Sequence, residues 1–194
     1  MDWLHKNGYL SKSSLTFISI HIMQYGEHDA MQLILDNNIQ LEEQHFIFGA
    51  MSGKIEVVEW LKRHKCPWNH QVPIQTAYKN DLKMLIWLKD NGCTFDAGVY
   101  WAALSHGHFP VLEWALENNY PFDSSLYRAP FPFGQKIDTA TLKKVDWLID
   151  HKCPLNQEVA EWLKKWEPKM CEYIMDRLKK QDNCDHPPTQ RLKK

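Results

Sequence analysis

The chain repeats its own pattern. The clearest copies read VVEWLKRHKCPWN (57–69), LKMLIWLKDNGCTFD (82–96), VLEWALENNYPFD (111–123) and VDWLIDHKCPLN (145–156). Trp60, Trp87 and Trp114 follow one another at 27 residues, Leu33 lies 27 before Trp60, Trp3 lies 30 before Leu33, and Trp147 lies 33 after Trp114. A fixed period in this range marks stacked-repeat architectures, in which each unit buries its apolar face only against its neighbours. It also accounts for the nine Trp, five of which hold one equivalent position.

One unit, residues 43–69, reads as two helices. Phe46, Ile47 and Ala50 form the apolar side of the first, Ser52-Gly53 a turn, and Val57, Val58, Trp60 and Leu61 the apolar side of the second. Cys66-Pro67 is expected to end the second helix, since Pro cannot continue one. The same logic predicts helices over 72–78 and 82–91, then 99–104 and 110–118. It therefore predicts an all-α solenoid of helix–turn–helix units. The boundaries are a half repeat at 1–12, repeats at 13–42, 43–69, 70–96, 97–123 and 124–156, a capping hairpin at 157–180 and a disordered tail at 181–194. Ser13-Ser14 is expected to cap the helix over 15–23. The opening half repeat leaves two alternatives: a piece of a longer array, or a natural cap.

Composition excludes little beyond this. Net charge is −1, and the bases are too few and scattered for a nucleic-acid footprint. No basic, apolar leader opens the chain, and no apolar run approaches the ~20 residues of a membrane span. Of the five Cys, Cys66, Cys93 and Cys153 share one repeat position that elsewhere holds Tyr9, Ile39 and Tyr120. Such a position serves packing, so free thiols and a reducing compartment are expected. His64 and His151 are equivalent and read as helix-end groups. Cys66 and His70 lie four apart with no second pair at zinc-finger spacing, and Cys184 and His186 with Cys171 offer only an adventitious metal contact. No phosphate loop, nucleophile elbow or isolated carboxylate pair is present. The expectation is no cofactor, no metal site and no enzyme.

Gly53-Lys54-Ile55-Glu56-Val57-Val58-Glu59-Trp60-Leu61-Lys62 resembles the second half of an ankyrin repeat, as does Gly107-His108-Phe109-Pro110-Val111-Leu112-Glu113-Trp114. Small residues before the turn (Gly49-Ala50, Thr76-Ala77, Ala103) and Asn69, Asp96, Asp123 and Asn156 after the second helix also fit. Ankyrin units run to 33 residues with a Thr-Pro-Leu-His signature. Here the period is mostly 27 and that signature is missing, which implies short or absent β-hairpin projections. The pattern is similar to the short ankyrin-like repeats of large DNA viruses of amoebae and some protists.

The resemblance implies a protein–protein interaction module, its partner a host or viral protein, in the cytoplasm. By carry-over its contact residues are Met51, Ser52, Tyr78, Lys79, Ser105 and His106, joined by His45, Gln75 and Tyr100 from the first helices. The insertion Ser124–Gly134 adds a second candidate, with Tyr127, Arg128, Phe131 and Phe133 composed like an interface anchor. Alternatives are a structural or virion component that self-associates through the half repeat, or a ubiquitin-ligase substrate adaptor. Nucleic acid and membrane are excluded as partners on this reading.

Overall fold

The computed structural model describes residues 12–26, 28–129 and 137–185 of the 194. They form α1 (Lys12–Tyr25), α2 (His28–Asp36), α3 (Glu43–Met51), α4 (Ile55–Arg63), α5 (Gln71–Tyr78), α6 (Leu82–Asp90), α7 (Gly98–His106), α8 (Phe109–Glu117), a 3-10 turn (Ser124–Arg128), α9 (Thr139–Asp150), α10 (Gln157–Trp166) and α11 (Pro168–Asp185). The fold is all-α, and no strand occurs among the described residues. No described helix is long and apolar enough to cross a membrane. The chain divides into two compact units. One runs through the described residues to Ala103 and includes His108–Tyr120; the other joins Leu104–Gly107 to the described residues from Pro121 onward.

In the first unit the helices alternate as expected. The first helices of successive repeats, α1, α3 and α5, pack side by side, and each pairs with its own second helix. Phe46, Ala50, Val57, Val58, Leu61, Val72, Met84 and Leu88 form the continuous interior. Each large apolar side chain buried here contributes about 1.5–3 kcal/mol. Trp60 and Trp114 are buried and Trp87 is half-buried, so the periodic tryptophan lies at the margin of this core.

What ends the second helices is a left-handed residue, not the proline. Asn38, Lys65, Gly92, Asn119 and Lys152 share one repeat position, and all have positive φ, from 51° to 84°. The amide after each reaches back five residues: Ile39 to Ile34, Cys66 to Leu61, Cys93 to Leu88, Tyr120 to Ala115 and Cys153 to Leu148. This is the Schellman stop, whose second residue past the helix packs inward. The recurring Cys is that inward residue. One position before the left-handed residue, Asn37, Asn91 and Asn118 donate through Nδ2, and His64 and His151 through Nδ1, to the carbonyl four residues back, all at 2.7–2.8 Å. Both histidines are thus helix-end groups, as expected.

Neighbouring repeats are tied through polar groups as well. Cys66 Sγ–H points at the Glu42 carbonyl (3.4 Å) and Cys93 at that of Asn69 (3.9 Å). Burial pushes these thiols up to about 12 and about 11. Lys62 Nζ donates to Asn91 Oδ1 at 2.6 Å, and Lys89 makes the equivalent bond to Asn118. Asn69, Asp96, Asp123 and Asn156 each accept from a backbone amide two or three residues on, at 2.8–2.9 Å, and so start the next first helix.

In the second unit the expected first helix shrinks to the 3-10 turn. Tyr127 nevertheless stands 27 residues after Tyr100, so the six extra residues fall after Arg128. Tyr127 is fully buried and its O–H donates to the Cys153 carbonyl at 3.2 Å. Cys153 Sγ in turn points at the Asp123 carbonyl at 3.3 Å. On α11, Tyr173 and Arg177 both donate to Asp146 of α9, at 2.7 and 3.0 Å. This pair docks the last helix. That helix continues to Asp185, so residues 181–185 are helical and not tail; 186–194 lie outside the described residues. Ser13 and Ser14 lie inside α1, which begins at Lys12, and not at its cap. Trp3 and the half repeat up to residue 11, Phe131 and Phe133 also lie outside the described residues.

Candidate functional site

The period places surface residues of the first unit in columns. Phe17, Gln44 and Gln71 form one; His21, Phe48 and Gln75 a second; Gln24, Met51 and Tyr78 a third; Tyr25, Ser52 and Lys79 a fourth. On each helix these positions recur at i, i+4 and i+7 or i+8, which is one stripe. The second column is seen directly. The His21 and Phe48 rings lie 6.3 Å apart across α1 and α3, and Phe17 meets His21 edge-on at 4.5 Å.

The stripe changes character along the stack. Its α1 end is aromatic: Phe17 is 64% exposed and Tyr25 68%, the two most exposed large apolar side chains among the described residues. Met51, Ser52, Gln75 and Tyr78 are half-buried, and Lys79 is exposed. Ser52 is partly committed to the turn, donating to the Gly49 carbonyl at 2.6 Å and accepting from Lys54 N–H at 3.1 Å. Lys54 Nζ reaches back to the Tyr25 carbonyl at 2.6 Å, and His108 Nε2 lies 3.1 Å from the Tyr78 carbonyl. The turns therefore hold adjacent first helices in register.

Three sequence candidates are corrected. His45, Tyr100 and Tyr127 are fully buried and offer a partner no surface. His45 occupies the position of Val72, Val99 and Leu126, all fully buried. Tyr100 donates to the Tyr120 carbonyl at 3.3 Å, and burial pushes its phenol up to about 12. Burial also raises the Tyr127 phenol. A tyrosine can sit inside because a carbonyl meets its hydroxyl, and that carbonyl belongs to a residue 20 or 26 positions later. In the second unit His106 is exposed. Ser105 is half-buried, with its Oγ 3.4 Å from the Ala129 carbonyl and its own carbonyl accepting from Lys144 at 2.6 Å. Arg128 is engaged by Glu158 at 2.8 Å and lies 5.5 Å from the Trp162 ring centroid.

The sequence reading missed Phe17, His21 and Tyr25. Subtracting one period from Gln44, Phe48 and Ser52 would have found them.

Ser19 and His45 form a buried pair, Oγ to Nε2 2.8 Å, which invites a nucleophile reading. The surrounding bonds oppose it. His45 Nδ1 accepts from Glu42 N–H at 3.0 Å, so the ring proton sits on Nε2 and is donated to Ser19. Ser19 O–H is in turn given to the Thr16 carbonyl at 2.7 Å. The imidazole therefore has no lone pair aimed at the serine hydroxyl, the reverse of what base activation needs.

Among the described residues no group of three or more His, Cys, Asp or Glu is placed to hold a metal ion. Cys66, Cys93, Cys153 and Cys171 are free thiols.

Neither a family model nor a curated protein matches the chain. Among solved structures, the pentatricopeptide repeat protein PPR10, in complex with an 18-nt psaJ RNA element, matches 90% of this chain at 15% identity and a TM-score of 0.43. The chain spans 30% of the length of that protein. The exclusion of nucleic acid as a partner is withdrawn: this helical-repeat match was solved with RNA bound. At that TM-score the match says nothing of what this chain binds.

Proposed function

We propose that the chain is a non-enzymatic binding module of ankyrin-like repeats that holds a protein partner on the first-helix stripe of its first unit. The observation that carries this reading is the exposed aromatic end of the stripe, Phe17 and Tyr25 beside His21 and Phe48. Large apolar side chains left in water at the edge of a packed stack are costly for the free protein, and clusters of them mark binding sites. Aromatic residues and Met are enriched at protein interfaces, and the amides and hydroxyls of Gln75, Ser52 and Tyr78 supply adaptable polar contacts beside them. The packed helices beneath fix these side chains in advance, which lowers the ordering cost of association.

The test is affinity capture with the intact chain and two variants. One carries Phe17→Ser with Tyr25→Ser. The other carries Ile86→Ser, an exposed residue of a second helix. Loss of a protein from the first variant only is expected. Equal recovery from both would sink the reading, as would a face-dependent catch that proves to be nucleic acid.

A further inference from the structure

Every interior position homologous to His45 is aliphatic. Val72, Val99 and Leu126 are wholly buried at one-period steps, and only the α3 repeat places a titratable ring there. That ring is a polar link inside the α1–α3 contact, buried on both sides. Through Nε2 it donates to Ser19 of α1, and through Nδ1 it accepts from Glu42 N–H at the start of its own helix. The Ser19 hydroxyl in turn donates a hydrogen bond to the Thr16 carbonyl within α1. Neutral imidazole with its proton on Nε2 satisfies all three bonds. A second proton has only Nδ1 to occupy, where it would confront the Glu42 N–H and leave a buried charge without an acceptor.

We infer that His45 is a pH-sensitive latch: while neutral it fastens α1 to α3, and on protonation it loosens residues 12–25 from the stack. This concerns how α1 is held and does not depend on what the stripe binds. The surroundings favour the neutral ring. Desolvation by burial lowers the His45 pKa, and Glu42 beside it opposes this only in part. The other titratable groups nearby are Glu43, whose carboxylate is taken by Asn69, Cys66, which points at the Glu42 carbonyl, and His21 on the outer side of α1 beside Phe17 and Phe48. α5, packed on α3, buries Val72, Pro73, Thr76 and Ala77, none of which titrates.

The experiment is amide hydrogen exchange of the full chain at pH 7.5 and 5.0, corrected for the chemical rate at each pH. It compares wild type with His45→Val, His45→Gln and His21→Gln. Valine is the residue of two sister repeats, and the Glu42 amide it would free lies in an exposed residue that water can reach. Glutamine keeps polar groups without a titration, so one of the two stays folded if the other does not. The latch predicts that protection of residues 12–25 falls roughly tenfold or more on acidification in wild type and His21→Gln, with little change in 71–78. It also predicts that the fall disappears in both His45 variants. Nitrogen-15 shifts of the His45 ring at pH 7.5 should show Nδ1 bare and Nε2 protonated. The latch is overturned by a wild type without the pH effect, by His45 variants that keep it, or by a ring that titrates at or above the ordinary histidine value.

Discussion

The hydroxyl of Tyr127 donates to the carbonyl of Cys153, 3.2 Å away and 26 residues later, as that of Tyr100 donates to Tyr120. The same tie thus recurs in a repeat whose first helix has shrunk to five residues. Tyr127→Phe keeps the ring and orphans a buried carbonyl, so a loss of about 1–3 kcal/mol is expected. Tyr127→Ala removes the ring too and should cost about 3–5 kcal/mol, as for other buried aromatics. Urea unfolding followed by circular dichroism reads both. Equal stability of wild type and Tyr127→Phe would mean the bond contributes nothing.

Lys65 and Lys152 hold left-handed backbone at φ 56° and 55°, where a side chain is strained. Lys65→Gly and Lys152→Gly should each stabilise by about 0.5–1 kcal/mol, less than the full strain because glycine also frees the unfolded chain. Gly92 is the converse. A Cβ there meets nothing within 4 Å, so Gly92→Ala isolates the backbone term and should destabilise by about 1 kcal/mol. Denaturation midpoints that fail to move in opposite directions would refute this account of the helix stops.

Cys66, Cys93 and Cys153 are buried, and burial pushes their thiols up to about 12, 11 and 12. Thiolate is the reactive form, so these three should resist alkylation at pH 8 in the native chain. Of the four described thiols, Cys171, only half-buried, should react first. Mass mapping after timed alkylation checks the order. Rapid labelling of Cys66 or Cys153 without denaturant would contradict it.

Stability should also fall in mild acid. Because the folded-state pKa of His45 is depressed, its contribution is complete above the ordinary histidine value of about 6.5 and drains away as pH falls through the interval below it. Unfolding curves for wild type and His45→Val should therefore diverge most near neutrality and converge towards pH 5. A constant difference across that range would count against the assignment.

How far the sequence spoke can be followed residue by residue. The period of Trp60, Trp87 and Trp114 gave the paired helices, and the shared Cys position gave the inward residue after each. Asn69, Asp96, Asp123 and Asn156 were legible only as recurring after the second helix; their bonds to backbone amides at the start of the next first helix came from the structure. Lys65 and Lys152 were silent, since lysine carries no preference for positive φ. The burial of Tyr100 and Tyr127 depended on carbonyls far along the chain, and that of His45 on Ser19, 26 residues before it. Pattern within one helix cannot show such partners. The stripe was half legible: Met51, Ser52, Tyr78 and Lys79 came from the resemblance, while its aromatic end on α1 emerged only once the helices were laid in register.

The most direct measurement is hydroxyl-radical footprinting of the chain with and without a captured partner, since Phe, Tyr and Met report side-chain access. The account predicts reduced oxidation at Phe17, Tyr25, Met51 and Tyr78, with Ile86 and Trp166 unchanged. Protection confined to Ile86 and the other second-helix residues, or none along the stripe in a saturated complex, would contradict it.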